Sequence, residues 1–185
     1  MITTAANRRV QNKVQIYEPK NYHEFVSNFP FDLTDDQETA IEDTLNDIYS
    51  SKLMDRLICG DVGFGKTEVA IRASFVVASS GKQVAIVAPT TILVEQHFKT
   101  FEDRFKDFDI SIKSLSRMTK NNERLKIKND LNNGKLSIVI GTHALLSKDI
   151  SFLNLGLIVI DEEQHFGVVQ KERLKELQFD IHVLT

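Results

Sequence analysis

One eight-residue stretch, GDVGFGKT from Gly60 to Thr67, restricts the possible folds more than any other feature of this chain. It satisfies G-x-x-x-x-G-K-[ST] at every required position, with the apolar run RLIC before it and the helical run EVAIRASFVV after it. A strand, a tight loop and a helix are therefore expected in that order. Gly60, Gly63 and Gly65 allow the backbone to curl, so that the amides of a loop completed by Asp61, Val62 and Phe64 face phosphate oxygens. A helix starting near Gly65 adds its positive end to the same place. Lys66 supplies a mobile point charge for the β and γ phosphates, and the Thr67 hydroxyl is a magnesium ligand. A chance glycine-rich turn has no reason to carry both flanks.

The rest of the chain repeats the same alternation. Val- and Ile-rich runs at 56–60, 83–89, 110–115, 136–141, 155–161 and 180–185 are separated by helical segments at about 65–80, 91–105, 121–132 and 162–177. Runs that are apolar almost throughout are strands covered on both faces. Strand–helix alternation at this pace predicts an α/β fold with a parallel sheet and right-handed crossovers. Ahead of it, Ala40, Ile41, Leu45 and Ile48 recur at helical spacing from Asp35 to about Ser51, with Thr34 placed to cap the first turn. Residues 1–28 are polar and interrupted by Pro19, which predicts a short helix or an ordered arm.

LIVIDEE places Asp161 and Glu162 at the C-terminal end of an apolar run, the edge of an open α/β sheet where ligands bind. Transfer of a phosphoryl group to water needs a carboxylate to hold magnesium and a group to orient the water. Asp161 suits the first role, and Glu162 suits the second as general base. An acidic helix start stabilised by the helix dipole is the plainer reading of the pair taken alone. The phosphate loop about a hundred residues upstream favours the chemical one.

Composition limits the partners. With 42% hydrophobic and 26% charged residues the chain is globular, and a net charge of −3 leaves nucleic-acid contact to a local patch. The single cysteine, Cys59, excludes an internal disulfide and suits a reducing cytoplasm. No apolar stretch approaches the roughly 18 residues that span a bilayer, and the first fifteen residues are too polar for a signal-peptide core. A cytoplasmic protein without membrane contact is expected.

GDVGFGKTEVAIRASF, APTTILVEQHF, IGTHALL and DEEQHFGVVQKERLK together resemble motifs I, Ia, Ib and II of superfamily 2 helicase-type translocases. The nearest pattern is the motor of the bacterial transcription-repair coupling factors, with the replication-fork helicase RecG as a near relative. Phe64 in GDVGFGKTE and the KER of QKERLK favour the former. The resemblance covers residues 29–185 and leaves 1–28 as an arm or linker remnant. It implies a RecA-like three-layer sandwich with a mostly parallel central sheet, acting on ATP with Mg2+. It also implies that Gln37 reads the adenine edge, with Phe31 or Leu33 packed nearby. Pro89, Thr90 and Thr91, and Gly141, Thr142 and His143, match residues that take DNA phosphates, although a cap or turn role is the simpler alternative for each. Ser116 and Arg117 resemble a DNA-facing motif. Gln164 and His165 stand where the family has His-Arg, so a residue that can change charge and a permanently charged fork are both replaced at the point that couples ATP to DNA.

The implied partners are double-stranded DNA, held weakly by this segment alone, and a second RecA-like domain or a full-length motor. Contact with RNA polymerase would use regions beyond these residues. The family pattern would continue past HVLT at 182–185 into that second domain and its arginine fingers, which predicts little turnover by this segment alone. A stand-alone nucleotide-binding interaction module is the alternative. A kinase-like phosphotransferase is disfavoured by the acidic box and the lack of an evident acceptor lid.

Overall fold

The computed structural model describes residues 15–50, 52–59, 65–162, 167–177 and 181–185. Gly60, Asp61, Val62, Gly63 and Phe64 of the phosphate loop, and Gln164 and His165, lie outside them.

Among the described residues six strands form one sheet: β1 (Asp55–Arg56), β2 (Gln83–Val87), β3 (Ile112–Leu115), β4 (Ile138–Gly141), β5 (Leu155–Ile160) and β6 (His182–Leu184). Their spatial order is β1-β6-β5-β2-β4-β3, and every pairing between them is parallel. The helices are α1 (Tyr22–Ser27), α2 (Asp35–Tyr49), α3 (Lys66–Ser79), α4 (Thr91–Phe105), α5 (Asn121–Asn132) and α6 (Val168–Leu177), with a 3-10 turn over His143–Leu146.

Strand alternation sorts the core into two layers. Val84, Ile86, Ile138, Ile140 and Leu157 face α1, α2, α3 and α4, where Phe25, Ile48, Phe75 and Phe101 are buried. Ala85, Val87, Val139, Ile158 and Ile160 face the other way, onto Ile127 and Leu131 of α5, Leu145 and Leu146 of the 3-10 turn, and Leu174 of α6. The result is the three-layer α/β sandwich expected, with a sheet that is parallel throughout its described strands. α3 is buried along most of its length, from Glu68 to Ala78, because it lies between the sheet and α1 and α2. A helix so enclosed is apolar over most of its surface, and its two buried charged residues, Glu68 and Arg72, pair with each other at 2.8 Å.

Two element boundaries differ from the sequence expectation. The run at 56–60 pairs as a strand only over Asp55–Arg56, with further bonds from Thr185 N to Arg56 O at 2.9 Å and from Ile58 N to Thr185 O at 2.7 Å. β1 is the outermost strand, so Leu57 faces solvent at 69% exposure instead of a second layer. The helix after β5 begins at Val168, not Glu162. Glu162 has φ 59°, a left-handed conformation that a helix start does not use.

The segment before residue 29 contributes to the core. Phe25 is fully buried and Tyr22 nearly so. Pro19 starts the turn into α1, its carbonyl accepting from Tyr22 N at 3.0 Å. α2 begins as expected: Thr34 Oγ1 accepts from Gln37 N at 3.3 Å while Gln37 Oε1 accepts from Thr34 N at 3.0 Å, a reciprocal capping box.

Candidate functional site

Because the strands are parallel, the loops that follow them emerge along one edge of the sheet, and the sequence-selected residues gather there. The edge has two halves. β1 and β5, with β6 between them, carry the end of the phosphate loop and the acidic pair. β2, β4 and β3 carry the Pro-Thr-Thr, Gly-Thr-His and Ser-Arg segments.

In the first half Gly65 has φ 73°, a left-handed turn that a side chain would strain, and α3 starts at the next residue, Lys66. A methyl group on Gly65 would come within 2.1 Å of Gln37 Nε2, so the Gln37 carboxamide lies directly against the end of the phosphate loop. Thr67 follows in the first turn of α3, half-buried, with Lys66 exposed.

Asp161 closes β5, its amide bonded to Val87 O at 2.8 Å. Its Oδ2 lies 2.9 Å from Nε2 of His97, a residue of α4. An ionised carboxylate can only accept, so Nε2 carries the proton in this contact. The His97 hydrogen bond holds the Asp161 carboxyl below its ordinary value against the opposing effect of burial, and the charges of His97 and Lys66 pull the same way. Lys66 and Asp161 therefore act on one region at the sheet edge. Glu162 is exposed and is the one non-glycine in the left-handed region among the described residues, a conformation that costs about 1–3 kcal/mol and concentrates at functional sites.

These residues fit a magnesium nucleotide. Among the described residues no cluster of three His, Cys, Asp or Glu side chains could hold a metal ion by itself. Magnesium is ordinarily held by one or two carboxylates together with substrate phosphates, a role open to Asp161, whose carboxyl also feels the charge of Lys66.

The second half forms a groove of about 530 Å³ lined by Pro89, Thr90, Thr91, Ile92, Arg117, Thr142, His143 and Ala144. Five of the six residues matched to phosphate contacts meet there, together with Arg117. The sixth, Gly141, ends β4, where a methyl group would sit 2.5 Å from Leu115 O. Thr90 is also the cap of α4, its Oγ1 accepting from Leu93 N at 3.2 Å, which leaves its O–H free to donate. The turn that presents Arg117 is tied down on all sides. Ser116 N donates to Thr119 Oγ1 at 3.0 Å, Met118 N to Ser116 Oγ at 3.2 Å, and Arg124 Nη2 to Ser116 O at 2.9 Å. Exposed Ile92 and Met118 share a neighbouring open cleft with Arg117 and Lys99.

His97 did not emerge from the sequence reading. Its contact with Asp161 spans 64 positions and follows no local pattern.

A family model described as DEAD/DEAH box helicase matches residues 34–182. A transcription-repair-coupling factor of Rickettsia conorii is 52% identical over 190 aligned residues, covering 100% of this chain and 17% of that protein. The coupling factor of Borreliella burgdorferi is 56% identical over 161 residues, covering 87% of this chain and 14% of that protein. The chain thus spans about a sixth of the length of these curated relatives. The solved structure of RecG bound to a three-way DNA junction superposes with a TM-score of 0.80 at 37% identity, covering 97% of this chain and 24% of that one. With a family match across most of its length, the chain belongs to the DEAD/DEAH box helicases.

Proposed function

We propose that these 185 residues are the ATP-binding half of a DNA-dependent ATPase, a double-stranded DNA translocase of the transcription-repair coupling type. The observation that carries this reading is the division of one sheet edge into two adjoining sites. Lys66 and Asp161 act on a common region on one side, and the Thr90–Arg117–Thr142 groove lies on the other.

The phosphate loop, with Lys66, grips the triphosphate, and Gln37 beside it meets the base. Asp161 and Thr67 would hold a magnesium ion, which would neutralise charge on the phosphates. Glu162 takes the proton of the attacking water. In the groove, hydroxyls, helix-start amides and Arg117 contact DNA phosphates and fix the duplex without reading its sequence. Backbone-directed contacts of this kind let a motor move over any sequence. The cellular setting is cytoplasmic DNA repair, with RNA polymerase engaged by other parts of a longer protein.

Turnover requires a further partner. An arginine finger is worth about 10³–10⁵ in rate in related phosphoryl-transfer enzymes, so a second RecA-like domain would supply it across the cleft. The test is steady-state ATP hydrolysis by this chain with and without duplex DNA, then with a second RecA-like domain added in trans. Near-background turnover that rises on completion supports the reading. Robust DNA-stimulated turnover by the chain alone contradicts the dependence on a second domain.

A further inference from the structure

His97 lies inside α4, whose start forms one wall of the groove, yet its side chain leaves that wall and reaches the acidic pair. The backbone and side chain of Asp161 are both attached to a single strand–helix unit. The Asp161 amide donates to Val87 O at the end of β2, and its Oδ2 accepts from His97 two turns into α4. Pro89, Thr90 and Thr91 form the junction between that strand and that helix. Thr91 and His97 are six residues apart, or about 9 Å along the helix axis. Val94, Phe101 and Phe105 are buried in the core and pack α4 onto the sheet. The His97 side chain is 17% exposed and Asp161 36%, so the contact is sheltered while the carboxylate still faces open space.

We propose that His97 is a positioning residue that fixes the Asp161 carboxylate to the strand–helix unit forming the groove wall, so that magnesium at Asp161 and duplex at Thr90–Thr91 bias one another. The proposal rests on the nucleotide and DNA reading given above. One carboxylate oxygen is taken by the imidazole N–H, which limits rotation of the side chain and leaves the other oxygen for the cation. A ligand held in this way by an outer hydrogen bond loses about 10–100-fold in metal affinity when the partner is removed. A shift of α4 on the duplex is felt at Asp161 through the same bond, and by linkage the effect is reciprocal.

The test uses the 185-residue chain, a fluorescent non-hydrolysable ATP analogue and a labelled duplex. Wild type, His97→Ala and His97→Gln are compared in three readouts: the magnesium concentration that gives half-maximal magnesium-dependent analogue binding, analogue affinity in EDTA, and duplex affinity with and without the magnesium analogue. His97→Ala should raise the magnesium requirement by about tenfold and abolish the effect of the analogue on duplex affinity. Analogue binding in EDTA and duplex binding without nucleotide should stay unchanged. His97→Gln, which keeps an N–H donor at similar reach, should restore both. A His97→Ala protein with the wild-type magnesium requirement overturns the proposal. So does one that loses duplex affinity in the absence of nucleotide, the result of a merely structural role. A wild-type chain that binds no nucleotide refutes the functional reading itself, and the His97 role with it.

Discussion

Phe25 stacks on Phe75 with ring centroids 3.9 Å apart and planes 12° apart, joining α1 to the middle of the phosphate-loop helix. Phe105 and Phe108 close on the same pair edge-on. The segment before residue 29 is thereby part of the domain's core. Phe25→Ala should lower stability by about 3–5 kcal/mol, the usual cost of deleting a buried aromatic ring. A chain starting at residue 29 should show a comparable loss. Urea denaturation followed by far-UV circular dichroism measures both.

Glu68, next to Thr67 in the chain, is buried and shared by two arginines. Arg72 Nε lies 2.8 Å and Arg104 Nη2 3.0 Å from its Oε1, and the Arg104 guanidinium also lies 4.7 Å from the Phe25 ring centroid. Removing the acid leaves two guanidiniums in a site with little water. Glu68→Ala should cost about 3–5 kcal/mol, the range for breaking a buried pair from one side. Glu68→Gln keeps an acceptor and the side-chain volume, and should cost less. Equilibrium unfolding of the two variants separates charge from shape.

Arg117 is exposed on a turn that is fixed by its neighbours, so its substitution should change binding and leave folding alone. Arg117→Ala should weaken duplex binding about equally for unrelated sequences and reduce the slope of log affinity against log salt by about 1. Fluorescence anisotropy at several salt concentrations gives both values. A loss confined to one sequence would contradict a phosphate contact.

The Asp161 carboxyl is held below its ordinary value by His97, and Lys66 adds to the effect. A depressed folded-state value contributes stability that is fully present above the unfolded value, near about 4, and is lost as pH falls through the folded value. Asp161→Asn should therefore flatten the acid limb of the stability curve and leave its shape near neutrality unchanged. Urea midpoints measured from neutral to acidic pH for both proteins check this. An acid limb unaltered by the substitution would contradict the contact.

The parts of this architecture that were readable from sequence are those set by local physics. Thr34 caps the start of α2, Thr90 caps α4, and the run Val84 through Val87 is covered on both faces of the sheet. The gathering of Thr90, Arg117 and Thr142 in one groove follows from strand order and parallel direction once the motifs are placed. Other features depend on distant partners. His97 finds Asp161 64 positions away, and Arg104 finds Glu68 36 positions away, with nothing in the intervening residues to announce either contact. The β1 boundary escaped because Leu57 is apolar yet lies on the sheet's outer strand, where one side has no cover. The sequence predicts a short helix or an ordered arm within residues 1–28, but α1 is only six residues long, too short for its spacing of Tyr22 and Phe25 to mark it as part of the core.

If Lys66 and Asp161 serve one magnesium nucleotide, the two residues leave different signatures in calorimetric titration of ATP into wild type, Lys66→Ala and Asp161→Asn, each with magnesium and with EDTA. Lys66→Ala should lose binding under both conditions, whereas Asp161→Asn should lose only the part that magnesium adds. Wild-type binding by both variants, or a magnesium dependence that survives in Asp161→Asn, would contradict that shared role.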